Sequence, residues 1–134
     1  MKIKTIFFVF SLLVLASHSV SASEMPWIKD LDEAFVKAQE LDKPILVDFS
    51  GSDWCIWCIR LDREVFAQHE FIEWAKGHVV PCLLDFPRKE RKDTVSAEQK
   101  KKNKEAAEKF GVQGYPTVLV LAPDGTVIAR TGYR

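Results

Sequence analysis

Residues 45–58 carry the main signal for the fold and read Ile45-Leu46-Val47-Asp48-Phe49-Ser50-Gly51-Ser52-Asp53-Trp54-Cys55-Ile56-Trp57-Cys58. The first five residues form a short run, apolar except for one aspartate, of the kind that makes a buried strand. The next four residues have the composition of a turn. Two cysteines three positions apart follow the turn, so the stretch predicts a strand that leads directly into the N-terminus of a helix.

On both sides of this stretch, helix and strand patterns alternate along the chain. Apolar residues recur at helical spacing after Asp30, which stands at an N-cap position, and Pro44 ends that helix. The other predicted elements are a helix that carries both cysteines on its first turn, a short helix over 70–76 stopped by Gly77, a strand over 79–86, a helix over 96–110 and a hairpin of strands 117–122 and 126–130. This order predicts one α/β domain.

The composition excludes several classes of protein. The 134 residues are 28% charged and 47% hydrophobic, which is typical of a globular domain. Because 19 basic residues balance 19 acidic ones, no overall field attracts a polyanion, and we expect no nucleic-acid partner. Three cysteines are too few for a small protein stapled by disulfides.

The first 22 residues have the pattern of a cleaved signal peptide. Two lysines precede an apolar run over residues 5–16, and Val20-Ser21-Ala22 offers small residues to a signal peptidase. The apolar run is shorter than the roughly 20 residues that span a bilayer, which favours a cleaved signal peptide over a membrane anchor. A retained N-terminal anchor is the alternative. We therefore expect a mature domain of residues 23–134 in the periplasm or otherwise exported, where its cysteines meet an oxidising compartment.

Cys55 and Cys58 are the candidate reactive residues. At the N-terminus of a helix, unpaired backbone N–H groups and the helix dipole favour a thiolate. We expect an exposed Cys55 to act as the nucleophile and a shielded Cys58 to resolve the mixed disulfide. A structural disulfide stays open as an alternative, and a zinc site would need Cys82, His69 or His78 at no recognised spacing. Haem attachment is excluded because Ile59, and not histidine, follows Cys58.

Three segments together resemble the thioredoxin superfamily, and in particular its small exported bacterial members. These segments are residues 43–49, residues 51–58 and Gly111-Val112-Gln113-Gly114-Tyr115-Pro116-Thr117. The resemblance implies a thioredoxin-like fold, with a central mixed β-sheet flanked by helices. It also implies a protein thiol–disulfide oxidoreductase that works through its own dithiol, with no cofactor and no metal.

The same resemblance implies roles for five further side chains. Pro116 corresponds to the cis-proline that faces the active-site disulfide, and with Tyr115 it would shape the substrate surface. Trp54 corresponds to the active-site tryptophan, and Trp57 would add an apolar contact for substrate. Asp48 corresponds to a buried carboxylate that accepts the proton of Cys58, and burial would raise the pKa of its carboxyl group. The alternative is a partly solvated acid at the end of the strand.

The sequence departs from thioredoxin at three places. Asp48 lies seven residues before Cys55, one more than in thioredoxin, so the turn must absorb the extra residue. The lysine that neighbours this acid in thioredoxin maps near Pro81. The sequence also ends at Arg134, directly after the last predicted strand, where the family places another helix. Three alternatives stay open: the chain is a fragment, another molecule covers that face of the sheet, or the face is open. An open face would favour self-association or reduced stability.

Two functions from different classes are compatible with these residues. The first is an oxidoreductase whose partners are protein thiols and disulfides, and the second is a non-catalytic module that binds peptides or a metal. The intact cysteine pair favours the first. Because Ile56-Trp57 contains neither histidine nor proline to stabilise a thiolate, a reductant or isomerase fed by a membrane-bound electron donor is favoured over a strong oxidant. Cys82 is expected in the core, with a third redox thiol as the alternative. The basic run over 88–104 is expected to be a solvated surface, with docking to an acidic partner as the alternative.

Overall fold

A computed structural model describes residues 24–88 and 94–134 of the chain. The predicted signal peptide and residues 89–93 of the basic run lie outside the described residues. Within the part that is described, no helix has the length and apolar character needed to cross a membrane.

The elements follow the predicted order. They are α1 (Leu31–Leu41), β1 (Ile45–Ser50), α2 (Ile56–Leu61) with a π-helical turn (Asp62–Phe66), α3 (His69–His78), β2 (Val80–Asp85), α4 (Ala97–Lys109), β3 (Thr117–Leu121) and β4 (Val127–Thr131). Asp30 caps α1 as predicted, because its carboxylate accepts hydrogen bonds from the backbone N–H groups of Asp32 and Glu33. Gly77 does not stop α3, which continues through it to His78. That prediction was wrong because a glycine inside a helix costs only about 1 kcal/mol, which packing of the helix offsets.

The four strands form one mixed sheet in the order β2-β1-β3-β4. β1 runs parallel to β2 and antiparallel to β3, and β4 returns antiparallel to β3 as the hairpin partner. The hairpin turn uses Gly125 at φ 91°, a left-handed conformation that favours glycine. β1 is therefore a central strand, and all six of its residues are buried.

Helices cover both faces of the sheet and divide the core into two clusters. On one face, Ala34 and Ala38 of α1 and Ala106 and Ala107 of α4 pack against the sheet. On the other face, the segment of α2 and α3 packs against alternate side chains of the same strands, including Leu46 and Val118. This arrangement confirms the thioredoxin-like fold. β4 is exposed along its whole length, and self-association through this side of the sheet stays a prediction.

Candidate active site

The sheet topology brings the C-terminal ends of β1, β2 and β4 and the N-terminal end of β3 to one edge of the molecule. At this edge Ser50 at the end of β1 pairs with Asp85 at the end of β2, and Phe49 pairs with Thr117 at the start of β3. β4 runs antiparallel to β3, so its last residue, Thr131, lies beside Val118. The residues that follow β1 and β4, and those that precede β3, therefore meet at this edge.

Cys55 and Cys58 form a disulfide at the N-terminus of α2. Cys55 is the N-cap residue, and its Sγ accepts a hydrogen bond from the backbone N–H of Cys58 at 3.2 Å. Cys58 Sγ accepts a second hydrogen bond, from the Gly51 N–H at 3.4 Å. The expected exposure of Cys55 is wrong for this oxidised form, because only 5% of the residue is accessible. The disulfide turns Cys55 Sγ back over the first helical turn, where the Cys58 N–H meets it, and not outward into solvent.

The turn before the cysteines is packed around Trp54. Its indole N–H donates a hydrogen bond to the Phe86 carbonyl at 2.8 Å, and the Arg88 guanidinium lies 3.9 Å from the centre of the indole ring. A side chain at Gly51 would lie 2.4 Å from the ring of Trp54, so only glycine fits beneath it. The Gly51 carbonyl also accepts a hydrogen bond from the backbone N–H of Cys55 at 2.8 Å, which closes the turn.

Asp48 is buried in the central strand, with 4% of the residue accessible. Its Oδ1 has no hydrogen-bond partner among the described residues. Burial raises the pKa of its carboxyl group to about 7, and the negative charges of Asp62 and Asp85 add to this effect. Asp48 and Cys58 line the same cleft of about 290 Å³. The burial and the raised pKa expected for Asp48 are both found.

Three charged residues in this cleft were not assigned to the site from the sequence. Asp62, Asp85 and Lys29 line it together with Asp48 and Cys58. Desolvation raises the pKa of Asp62, and the charge of Lys29 partly opposes that effect. Asp85 accepts hydrogen bonds from the Ser52 N–H at 3.0 Å and from the Ser52 hydroxyl at 2.5 Å, so it also holds the turn.

Two of these three residues, Asp62 and Asp85, had a signal in the sequence. Asp62 is the polar member of an otherwise apolar helical face, and Asp85 comes at the end of a predicted strand. Lys29 lies before α1, and only the contact of its segment with β2 brings it to the cleft: the Ile28 N–H donates to the Pro81 carbonyl at 2.9 Å. Lys29 thus places a positive charge near Pro81, the position to which the lysine of thioredoxin maps.

A second groove includes Trp57, which lies between the two cysteines in the sequence. The peptide bond between Tyr115 and Pro116 is cis, and both residues line the groove, which has a volume of about 410 Å³. Trp57 lines the same groove and is 49% exposed. Trp54 contacts Tyr115 edge to face, with ring centres 5.7 Å apart. The structure therefore brings all seven predicted site residues to one edge of the sheet.

Cys82 lies away from this edge and is a core residue, as predicted. It is completely buried in β2, and burial raises the pKa of its thiol to about 12. Across residues 24–88 and 94–134, no group of three or more histidine, cysteine or acidic side chains is arranged to hold a metal ion.

The thioredoxin-like domain family matches residues 31–134 of the chain. A disulfide bond reductase of Chlamydia pneumoniae, DsbH, is 32% identical over 118 residues, which cover 88% of this chain and 69% of that protein. A thioredoxin-related protein of the same organism, DsbJ, is 30% identical over 117 residues, but the match spans only 33% of its length.

Among solved structures, a DsbH oxidoreductase superposes with a TM-score of 0.76 at 29% identity, over 92% of this chain and 83% of that chain. A thioredoxin from Thermus thermophilus superposes with a TM-score of 0.62 at 22% identity, over 84% of this chain and 78% of that chain, and supports the fold. The family match, the fold and the Cys55–Cys58 disulfide agree. The chain belongs to the thioredoxin-like family, and it is a thiol–disulfide oxidoreductase of that family.

Proposed function

We propose that this protein is an exported reductant of protein disulfides. In the proposed reaction, the Cys55 thiolate attacks one sulfur of a substrate disulfide, which forms a mixed disulfide and releases the first substrate thiolate. The Cys58 thiolate then attacks Cys55 Sγ, closes the Cys55–Cys58 disulfide and releases the second substrate thiolate. Two electrons thus pass from the protein to the substrate, and an electron donor must reduce the pair again.

The acidic cleft behind Cys58 is the observation that carries the direction of transfer. The cleft is lined by three carboxyl groups, those of Asp48, Asp62 and Asp85, against the single cation of Lys29. Negative charge disfavours a thiolate, so the reduced pair gains little stabilisation from this side. Strong oxidants owe their potential to a stabilised reduced form, and an acidic cleft acts in the opposite sense. The name of the relative DsbH, a disulfide bond reductase, supports the same direction.

Asp48 is proposed to accept the proton of Cys58 during the second step. A pKa of about 7 lets its carboxyl group take and release a proton near neutral pH. Its unpartnered Oδ1 and the cleft shared with Cys58 support this role. Trp54, Trp57, Tyr115 and Pro116 are proposed to contact the substrate chain, because they surround the cysteines at the same edge.

The proposed mechanism can be tested by trapping the mixed disulfide. Replacing Cys58→Ser removes the resolving thiol, so the variant should accumulate substrates bound to Cys55 when it is mixed with a disulfide-bonded peptide. Cys55→Ser is the matched control and should trap none. If neither variant trapped peptide and the native protein failed to reduce it, the oxidoreductase mechanism would be contradicted, and a binding module would explain the fold.

Export and electron supply are tested separately. Expression of the full chain in a Gram-negative host should give a periplasmic protein whose mass corresponds to a start at Ser23. A protein of full mass retained in the cytoplasm would contradict the proposed export. A donor at the membrane is proposed because a reductant outside the cytoplasm needs electrons from across it, and loss of that donor should leave the Cys55–Cys58 pair oxidised.

A further inference from the structure

Tyr133 is an aromatic residue at the active-site edge that sequence reasoning did not assign to the site. It follows β4, whose C-terminal end lies beside the start of β3. Its ring stacks on Trp57, with ring centres 5.2 Å apart and planes inclined by 28°. The backbone just before Tyr133 can pass close to Pro116 because Gly132 has no side chain. A Cβ atom at Gly132 would lie 2.9 Å from the Pro116 carbonyl oxygen.

Two charged residues of the α2 segment hold this aromatic pair. The Tyr133 hydroxyl donates a hydrogen bond to Glu64 Oε2 at 2.7 Å, while Arg60 Nε donates to Glu64 Oε1 at 3.1 Å. The Arg60 guanidinium lies 5.5 Å from the centre of the Trp57 ring and 5.3 Å from that of Tyr133. Tyr133 and Trp57 are therefore fixed to each other by stacking and to the helix by a carboxylate that both Tyr133 and Arg60 contact.

Trp57 and Tyr133 also form one wall of the groove that Tyr115 and Pro116 line. The groove is lined by Trp57, Tyr115, Pro116, Gly132, Tyr133 and Arg134. Three of these six residues are aromatic and one is proline, so most of the surface offered to a substrate is apolar and rigid. An aromatic or large aliphatic side chain placed there would bury apolar surface against fixed rings, whereas a small polar side chain would gain little.

We propose that Tyr133 is a positioning residue that holds Trp57 as the wall of a side-chain subsite, and that this subsite selects substrates with an aromatic or large aliphatic residue next to the reactive cysteine. The inference rests on the proposed reductant function and names the substrate class of the same groove. Glu64 and Arg60 belong to the support of this wall. They act through Tyr133 and Trp57 and not on the sulfurs.

The test compares matched peptide disulfides. The substrates are symmetric disulfide dimers of Gly-Xaa-Cys-Xaa-Gly in which Xaa is phenylalanine, leucine or serine. The reduced full-length mature protein is mixed with each dimer in single turnover, and the second-order rate constant is measured. The native protein should prefer the phenylalanine and leucine peptides to the serine peptide by roughly three- to tenfold, the range expected for one aromatic contact.

Two substitutions separate positioning from folding. Tyr133→Ala should lower the rate constants for the phenylalanine and leucine peptides more than that for the serine peptide, and so reduce the preference to less than about twofold, while the reduction potential stays close to the native value. Tyr133→Phe keeps the stacked ring and should retain most of the preference. A variant that merely loses folded protein slows all peptides by the same factor, so a native preference in Tyr133→Ala would overturn the proposal.

The remaining outcomes are equally decisive. If the native protein reduces all three peptides at the same rate, the subsite is wrong but the reductant function stands. If the native protein reduces none of them, the proposed function itself fails. The two failures are therefore distinguishable in one set of measurements.

Discussion

Replacing Asp48→Asn should make the stability of the protein less dependent on pH. In the folded protein, burial raises the pKa of this carboxyl group from 3.8 to about 7, whereas in the unfolded chain it titrates near its ordinary value of about 4. Between these two values the folded state holds a proton that the unfolded state has lost. The contribution of this carboxyl group to the free energy of unfolding is therefore most favourable below about pH 4, and it is lost as the pH rises through 7.

The size of the effect follows from the shift in pKa. A shift of about three units corresponds to about 4 kcal/mol, an order-of-magnitude value for a carboxyl group as buried as this one. The free energy of unfolding of Asp48→Asn, relative to that of the native protein, should thus rise by up to about 4 kcal/mol between pH 4 and pH 8. A change in the free energy of unfolding that the new amide causes equally at every pH cancels in this comparison.

The assay is urea unfolding of the oxidised proteins, followed by tryptophan fluorescence from pH 4 to pH 8. Oxidised protein is used so that the active-site thiols do not titrate. Glu70→Gln, at an exposed position on α3, is the matched control and should follow the native curve. A difference between Asp48→Asn and the native protein that stayed constant over this pH range would mean that the carboxyl group of Asp48 does not have a raised pKa.

Two further predictions concern the turn and the core. Gly51→Ala should destabilise the protein by about 1–3 kcal/mol and change the near-ultraviolet circular dichroism of Trp54, because the new methyl group collides with its ring. Gly77→Ala, which meets open space on α3, should instead stabilise it by about 0.5–1 kcal/mol, and equal effects of the two changes would contradict this account. Cys82 should resist iodoacetamide at pH 8 in folded, reduced protein and react only after unfolding, as mass spectrometry can show, because its thiol is buried with a pKa of about 12.

Much of the fold could be predicted because local patterns and tertiary packing agree. The run at 45–49 is buried on both faces as the central strand, and the Asp30 cap and the Gly125 turn lie where the side-chain chemistry favours them. Ser96, the first residue of the predicted helix over 96–110, caps α4 because its hydroxyl oxygen accepts a hydrogen bond from the Gln99 N–H at 3.1 Å. Gly77 shows the limit of local rules, because the packing of Ile72 and Ala75 stabilises a helix that extends beyond it.

The site could be predicted only where a motif carries it. Cys55, Cys58, Asp48 and Pro116 lie within recognisable segments, so their proximity could be expected. Lys29 and Tyr133 could not be expected, because they reach the site through a bridge to the edge strand and through the return of the hairpin. Such long-range contacts leave no periodic signal in the sequence.

The reduction potential of the Cys55–Cys58 couple distinguishes a reductant of protein disulfides from a strong disulfide donor. The mature protein would be equilibrated in defined thiol buffers, and its oxidised fraction measured. An acidic cleft that disfavours the thiolate predicts a potential near that of thioredoxin, about −270 mV. A potential near −120 mV, the value of a strong disulfide donor, would contradict the account.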